Sequence, residues 1–84
     1  MADPSSWLAV ERGWTVIGSD GKEIGRVEQV LGDEEKDIFD GLAVATGLLG
    51  KPRYVPAERV SSIVEGSITV DLSKSDVDRL DTVD

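Results

Sequence analysis

The sequence predicts an all-β fold of short strands, and three observations carry that prediction. β-Branched and aromatic residues come in short runs bounded by glycine, proline, aspartate and serine, the punctuation of strands and turns. In "SITVDL" (67–72), Ile68, Val70 and Leu72 alternate cleanly with Ser67, Thr69 and Asp71, so one face of a strand is apolar. A helical period begins only after Ser73, in "SKSDVDRLDTVD".

The first ten residues read as a lead-in, flexible or partly packed, ahead of a domain spanning 11–84. Met1 to Ser6 have nothing to bury. Trp7, Leu8 and Val10 form a short apolar cluster, and Trp7 is expected to cap an open end of the fold. "WTVIGSDGKEIGRVEQVL" then reads as a hairpin. Thr15 to Ile17 form one strand, Asp20-Gly21 the tight turn, and Ile24 to Leu31 the second strand. Simple alternation puts Val27, Gln29 and Leu31 on one face of that strand and Ile24 and Val30 on the other. Apolar residues on both faces predict a bend or bulge, and Gly25 has no side chain to obstruct a crossing strand.

"GDEEKDIFDG" is an acidic turn, followed by a third strand in "FDGLAVAT". There Leu42, Val44 and Thr46 alternate with the small residues Gly41, Ala43 and Ala45. "PRYVP" is the fourth strand, ended by Pro56, which cannot donate to a ladder and holds Val55 extended. "VSSIV", a Glu65-Gly66 turn and "SITVDL" make the last hairpin. Ser73 or Ser75 then caps a helix of one or two turns with Asp76 and Asp78 near its start and Val77 and Leu80 on one face.

Length and composition narrow the function classes. Eighty-four residues make one domain, and such a chain buries only about 60 to 65% of the surface it exposes when unfolded. The chain contains no cysteine and no histidine, which removes thiolate chemistry, the usual zinc ligands and the usual neutral-pH general base. No apolar run reaches the roughly 20 residues of a membrane span, and Met1 to Ser6 do not resemble a signal peptide. A soluble cytoplasmic protein is the expectation. The net charge of −8 opposes nucleic-acid binding, which depends on cations neutralising phosphates.

"GWTVIGSDGKEIGRVEQVL", the acidic turn, "FDGLAVATGLLGKPRYVPAERVSSI" and "SITVDLSKSDVDRL" together resemble the PRC-barrel domain, over about Trp14 to Leu80. The elements that carry the resemblance are Asp20-Gly21, the Ile24-Gly25-Arg26-Val27 step, the Tyr54-Val55-Pro56 step leading to Val60, and the final hairpin. This fold is shared by the cytoplasmic part of the photosynthetic reaction-centre H subunit and the C-terminal part of the ribosome maturation factors. The resemblance implies a small, strongly bent antiparallel β-barrel of about six strands, used as an interaction module and often dimeric. It implies no catalytic residues, because the family shares none.

The candidate sites sort accordingly. Asp33, Glu34, Glu35, Asp37 and Asp40 lack the ordered ligand alternation of a calcium loop and read as a solvated turn. Gly18, Gly21 and Gly25 are followed by strand rather than helix, so they form no phosphate loop. No metal and no cofactor is expected. Lys51, Arg53 and Arg59 form the one positive cluster, while residues 28–40 carry six acids and one lysine. That segregation suits either contact between two chains or pairing within one. Leu48 and Leu49 fall at a hairpin tip, where they either plug the barrel end or contact a partner. The expected function is a non-enzymatic protein-binding or scaffold module, working as a homodimer through Trp14, Leu48, Leu49, Lys51, Arg53 and Tyr54. The alternative is a ribosome- or RNA-associated factor, which the acidic balance disfavours.

Overall fold

A computed structural model describes residues 7–33, 35–36, 38–47 and 51–83. Six strands follow in chain order: β1 (Thr15–Ile17), β2 (Glu23–Asp33), β3 (Ile38–Ala45), β4 (Arg53–Pro56), β5 (Val60–Val64) and β6 (Ser67–Val70). A four-residue helix, α1 (Lys74–Val77), completes the set, and two 3₁₀ turns lie at Trp7–Ala9 and Ala57–Arg59. The strands form one sheet in the order β4-β3-β2-β1-β6-β5. Every pairing is antiparallel except β1 with β6, which is parallel.

That parallel seam departs from the all-antiparallel arrangement expected, and the pairings give its cause. β4 and β5 run in the same direction, because the 3₁₀ turn after Pro56 carries the chain across instead of reversing it. One reversal is missing, so β6 arrives alongside β1 in parallel. The sheet is curled around its core but not closed: among the described residues β4 and β5 remain its two edges.

β2 is the strand on which the curl depends. It pairs with β1 through Glu23 to Arg26 and with β3 through Arg26 to Asp33. Gly25 stands where these duties meet, and a Cβ there would overlap the carbonyl oxygen of Ala45. The register shifts between Val27 and Gln29, leaving Glu28 without an opposite residue. Such a bulge reverses which side chains face inward. Val27 is therefore buried and Val30 packs on the same core, whereas Gln29 is exposed; a second register shift, against β1, skips Ile24, which is buried as well. The bend predicted for this strand is present, but alternation without the bulge misassigned its faces.

Val16, Leu42, Val44, Val55, Ile68, Val70 and Val77 are fully buried, joined by Val10, Ile24, Val27 and Leu72. At one rim Trp7 stacks on Phe39, ring centroids 5.4 Å apart, and Trp14 and Leu80 pack on the same core elsewhere. The β1–β2 and β5–β6 turns each use a glycine at positive φ, Gly21 at +80° and Gly66 at +90°.

Ser73 caps α1 by a reciprocal pair of bonds. Its Oγ accepts from the Asp76 N–H at 3.2 Å, and its own N–H donates to the Asp76 carboxylate at 3.1 Å. The second bond holds the Asp76 carboxyl below its ordinary pKa, since a hydrogen bond to the charged form favours that form. A depressed carboxyl pKa contributes stability that is complete above the unfolded value and is lost as pH falls through the folded one. Asp76→Asn is therefore expected to flatten the dependence of thermal midpoint on pH below about 4. A midpoint-against-pH series on both proteins checks this, and coincident acid limbs would contradict it.

Candidate functional site

The 47–60 segment holds most of the residues expected to contact a partner, and the sheet register decides where they point. β4 alternates: Val55 is fully buried, Arg53 shares its face, and Tyr54 lies on the opposite, outer face. Trp14 accepts the Val27 N–H at 2.9 Å through its carbonyl, and Val27, Val44 and Arg53 continue that row across the sheet. Residues in one row share a face. Trp14 and Arg53 thus lie on the core side at separated strands, with Tyr54 behind them. Lys51 is exposed just ahead of β4. Leu48 and Leu49 lie outside the described residues.

Tyr54 is held firmly. Its hydroxyl donates to the Asp40 carbonyl oxygen at 3.0 Å, and its ring edge lies beside Gly41, where a Cβ would come within 2.9 Å of it. Across the register it stands opposite Ala43, a buried small residue of β3. Partial burial, reinforced by the nearby Asp40 carboxylate, raises the phenol pKa, so the ring stays neutral through the physiological range.

The positive cluster is partly consumed within the molecule. Arg53 Nη1 donates to the Leu80 carbonyl oxygen at 2.8 Å. The backbone around it joins the C-terminal tail: Arg53 bridges Thr82, the Tyr54 N–H donates to Asp81 at 2.8 Å, and the Val83 N–H donates to Pro52 at 2.7 Å. Residues 81–83 therefore cover the free edge of β4. Sequence reasoning extends the helical period through this tail and misses the pairing; the only local signal is the β-branched pair Thr82-Val83. Arg59 reaches Asp71 at 3.7 Å, with both side chains largely exposed, and Glu28 pairs with Arg12 at 2.8 Å. Exposed pairs of this kind contribute about 0 to 1 kcal/mol.

Two grooves are lined by described residues alone. One, of about 510 Å³, is lined by Pro56, Glu58, Arg59, Leu72 and Leu80. The other, of about 260 Å³, is lined by Phe39, Ala57 and residues 60–63 of β5. In the acidic turn the Asp33 carboxylate accepts the N–H groups of Glu35 (3.0 Å) and Lys36 (3.3 Å), the geometry of a turn. Glu34 and Asp37 lie outside the described residues. Among the described residues no three carboxylates gather where they could hold a metal ion, and no helix is long and apolar enough to cross a membrane.

A comparison with curated proteins finds no match. The family model of the PRC-barrel domain matches residues 12–77, from the residue before Gly13 to the buried end of α1. That span takes in all six strands and both halves of the curled sheet, and by it the chain belongs to the PRC-barrel domain family.

Proposed function

We propose that this domain is a cytoplasmic protein-interaction module that catalyses no reaction and works as a homodimer. The observation that carries the reading is Tyr54. It is an aromatic residue on the outer face of β4, fixed by its bond to the Asp40 carbonyl and set beside the small residues Gly41 and Ala43. A rigid, amphipathic ring over a low surface is the kind of anchor that interfaces use, because little conformational entropy is lost when a partner covers it. Leu48, Leu49 and Lys51 precede it in the chain, and Arg53 and Trp14 lie on the opposite face of the sheet. This group contacts a partner protein or a second copy.

The test is the mass in solution of the wild type and of Leu49→Asp. The wild type is expected at twice the 9.0 kDa chain mass. A 9.0 kDa particle for both proteins at every concentration would contradict the reading.

A further inference from the structure

The two edges of the sheet are treated differently. The edge of β4 is covered by residues 81–83 of the same chain. β5 has β6 on one side and, among the described residues, no strand on the other. An open edge is a template for another strand, and proteins usually guard it with a charge or a proline inside the strand. β5 has neither: it reads Val-Ser-Ser-Ile-Val, with Arg59 immediately before it and Glu65 immediately after. Its register against β6 shifts between Val60 and Ser62, so a bulge at Ser61 bends the first half of the edge and Ser62 to Val64 form its regular half. Ser61 and Ser62 are exposed, and the groove of about 260 Å³ runs along residues 60–63. β5 and β6 join through the two-residue turn Glu65-Gly66, so Val64 and Ser67 direct their backbone groups at each other. By alternation the N–H and C=O of Ile63 point away from β6, toward the open side.

We propose that this edge takes β5 of a second copy, antiparallel and centred on Ser62. The occupant follows from the charges at the two ends. A twofold axis at Ser62 sets Val60 opposite Val64 of the second copy, Ser61 opposite Ile63, and Arg59 opposite Glu65, with the same contacts repeated by symmetry. A parallel arrangement would set Arg59 against Arg59. The closed twofold contact is also the commonest form of self-association. Arg59 is only loosely engaged by Asp71, at 3.7 Å and in solvent, so its guanidinium remains able to turn to the new partner. The assignment rests on the homodimer reading but places self-pairing at β5 rather than at the Tyr54 group; of the two occupants proposed for that group, a partner of different sequence is then the one that remains.

Sedimentation equilibrium on five samples tests it: wild type, Arg59→Glu, Glu65→Arg, an equimolar mixture of those two variants, and Leu49→Asp. Each reversal alone sets like charges opposite one another twice per dimer, and is expected to weaken the dimer by about tenfold or more. In the mixed dimer the introduced glutamate of one chain faces the introduced arginine of the other. The native Glu65 and Arg59 face each other at the opposite end, and the mixture is expected to return to wild-type affinity. Leu49→Asp is expected to remain dimeric. A wild-type dimer untouched by either reversal, or a mixture as weak as the single variants, would overturn the β5 assignment while leaving the homodimer standing. A β5 edge that takes a strand of another protein, with the dimer formed elsewhere, would produce the first of those results. A wild type that is monomeric throughout would overturn the homodimer reading itself.

Discussion

Gly25→Val is expected to abolish the folded state. A Cβ at this position would overlap the Ala45 carbonyl oxygen and lie 2.9 Å from the Ala45 carbonyl carbon and 3.1 Å from the Thr46 Cα. All three are backbone atoms, so no side-chain rotation relieves the contact. Overpacking of a well-filled interior costs about 1 to 3 kcal/mol when side chains can adjust, and a clash with a fixed strand exceeds that range. A domain of this length has a total stability of about 4 to 13 kcal/mol, and the valine branches enlarge the clash. The two strands concerned, β2 and the end of β3, are also those whose pairing curls the sheet. The measurement is near-ultraviolet circular dichroism, which reports the packing of Trp7 and Trp14. A wild-type spectrum and a thermal midpoint within a few degrees of wild type would contradict the account.

Leu42→Ala is expected to be the most damaging truncation within the core. Leu42 is fully buried at the centre of β3, in register with Val30 on one neighbouring strand and Val55 on the other. Removing the isobutyl group forfeits its transfer energy and leaves a cavity that the three bonded strands cannot close. Leucine truncations of this kind cost about 2 to 5 kcal/mol. In a domain of this size the thermal midpoint should fall by more than about 10 °C. A melting curve on the variant checks it, and a fall of a degree or two would mean that Leu42 does not sit at the centre of the packing.

These two positions also mark what local sequence determines. The Asp20-Gly21 turn, the end of β4 at Pro56, and the alternating Ile68, Val70 and Leu72 were all legible, because each is fixed by residues within a few positions of itself; the helix cap was legible only as Ser73 or Ser75, and it is Ser73. The bend at Gly25 was legible for the same reason: a glycine inside a strand pattern marks a bulge or a close approach. The parallel pairing of β1 with β6 was not, since it depends on the direction in which the chain leaves the 3₁₀ turn at Ala57–Arg59, some 40 residues after β1. The inward turn of Val30 was hidden likewise. It depends on Glu28 being skipped by β3, and no local signal singles out that residue for the bulge.

The candidate site was legible in part. The 47–60 segment was marked by its charge and its leucines, and Tyr54 does lie on an outer face beside Gly41 and Ala43. That Trp14 and Arg53 lie on the other side follows from registers across four strands, which alternation within each strand does not set. Arg53 looked like a surface cation, yet its guanidinium bonds to Leu80, 27 residues away. The open edge of β5 had no local mark at all, because an edge is defined by what fails to pair with it. Only the strand order gives Arg59 and Glu65, at its two ends, a meaning beyond solubility.

Sedimentation equilibrium of the unmodified chain over a wide range of concentration tests the central claim, that this domain works as a self-associating interaction module. The account predicts a mass that rises from 9.0 kDa at high dilution to twice that value and then stops, as a closed twofold contact requires. A mass fixed at 9.0 kDa across the whole range would contradict it.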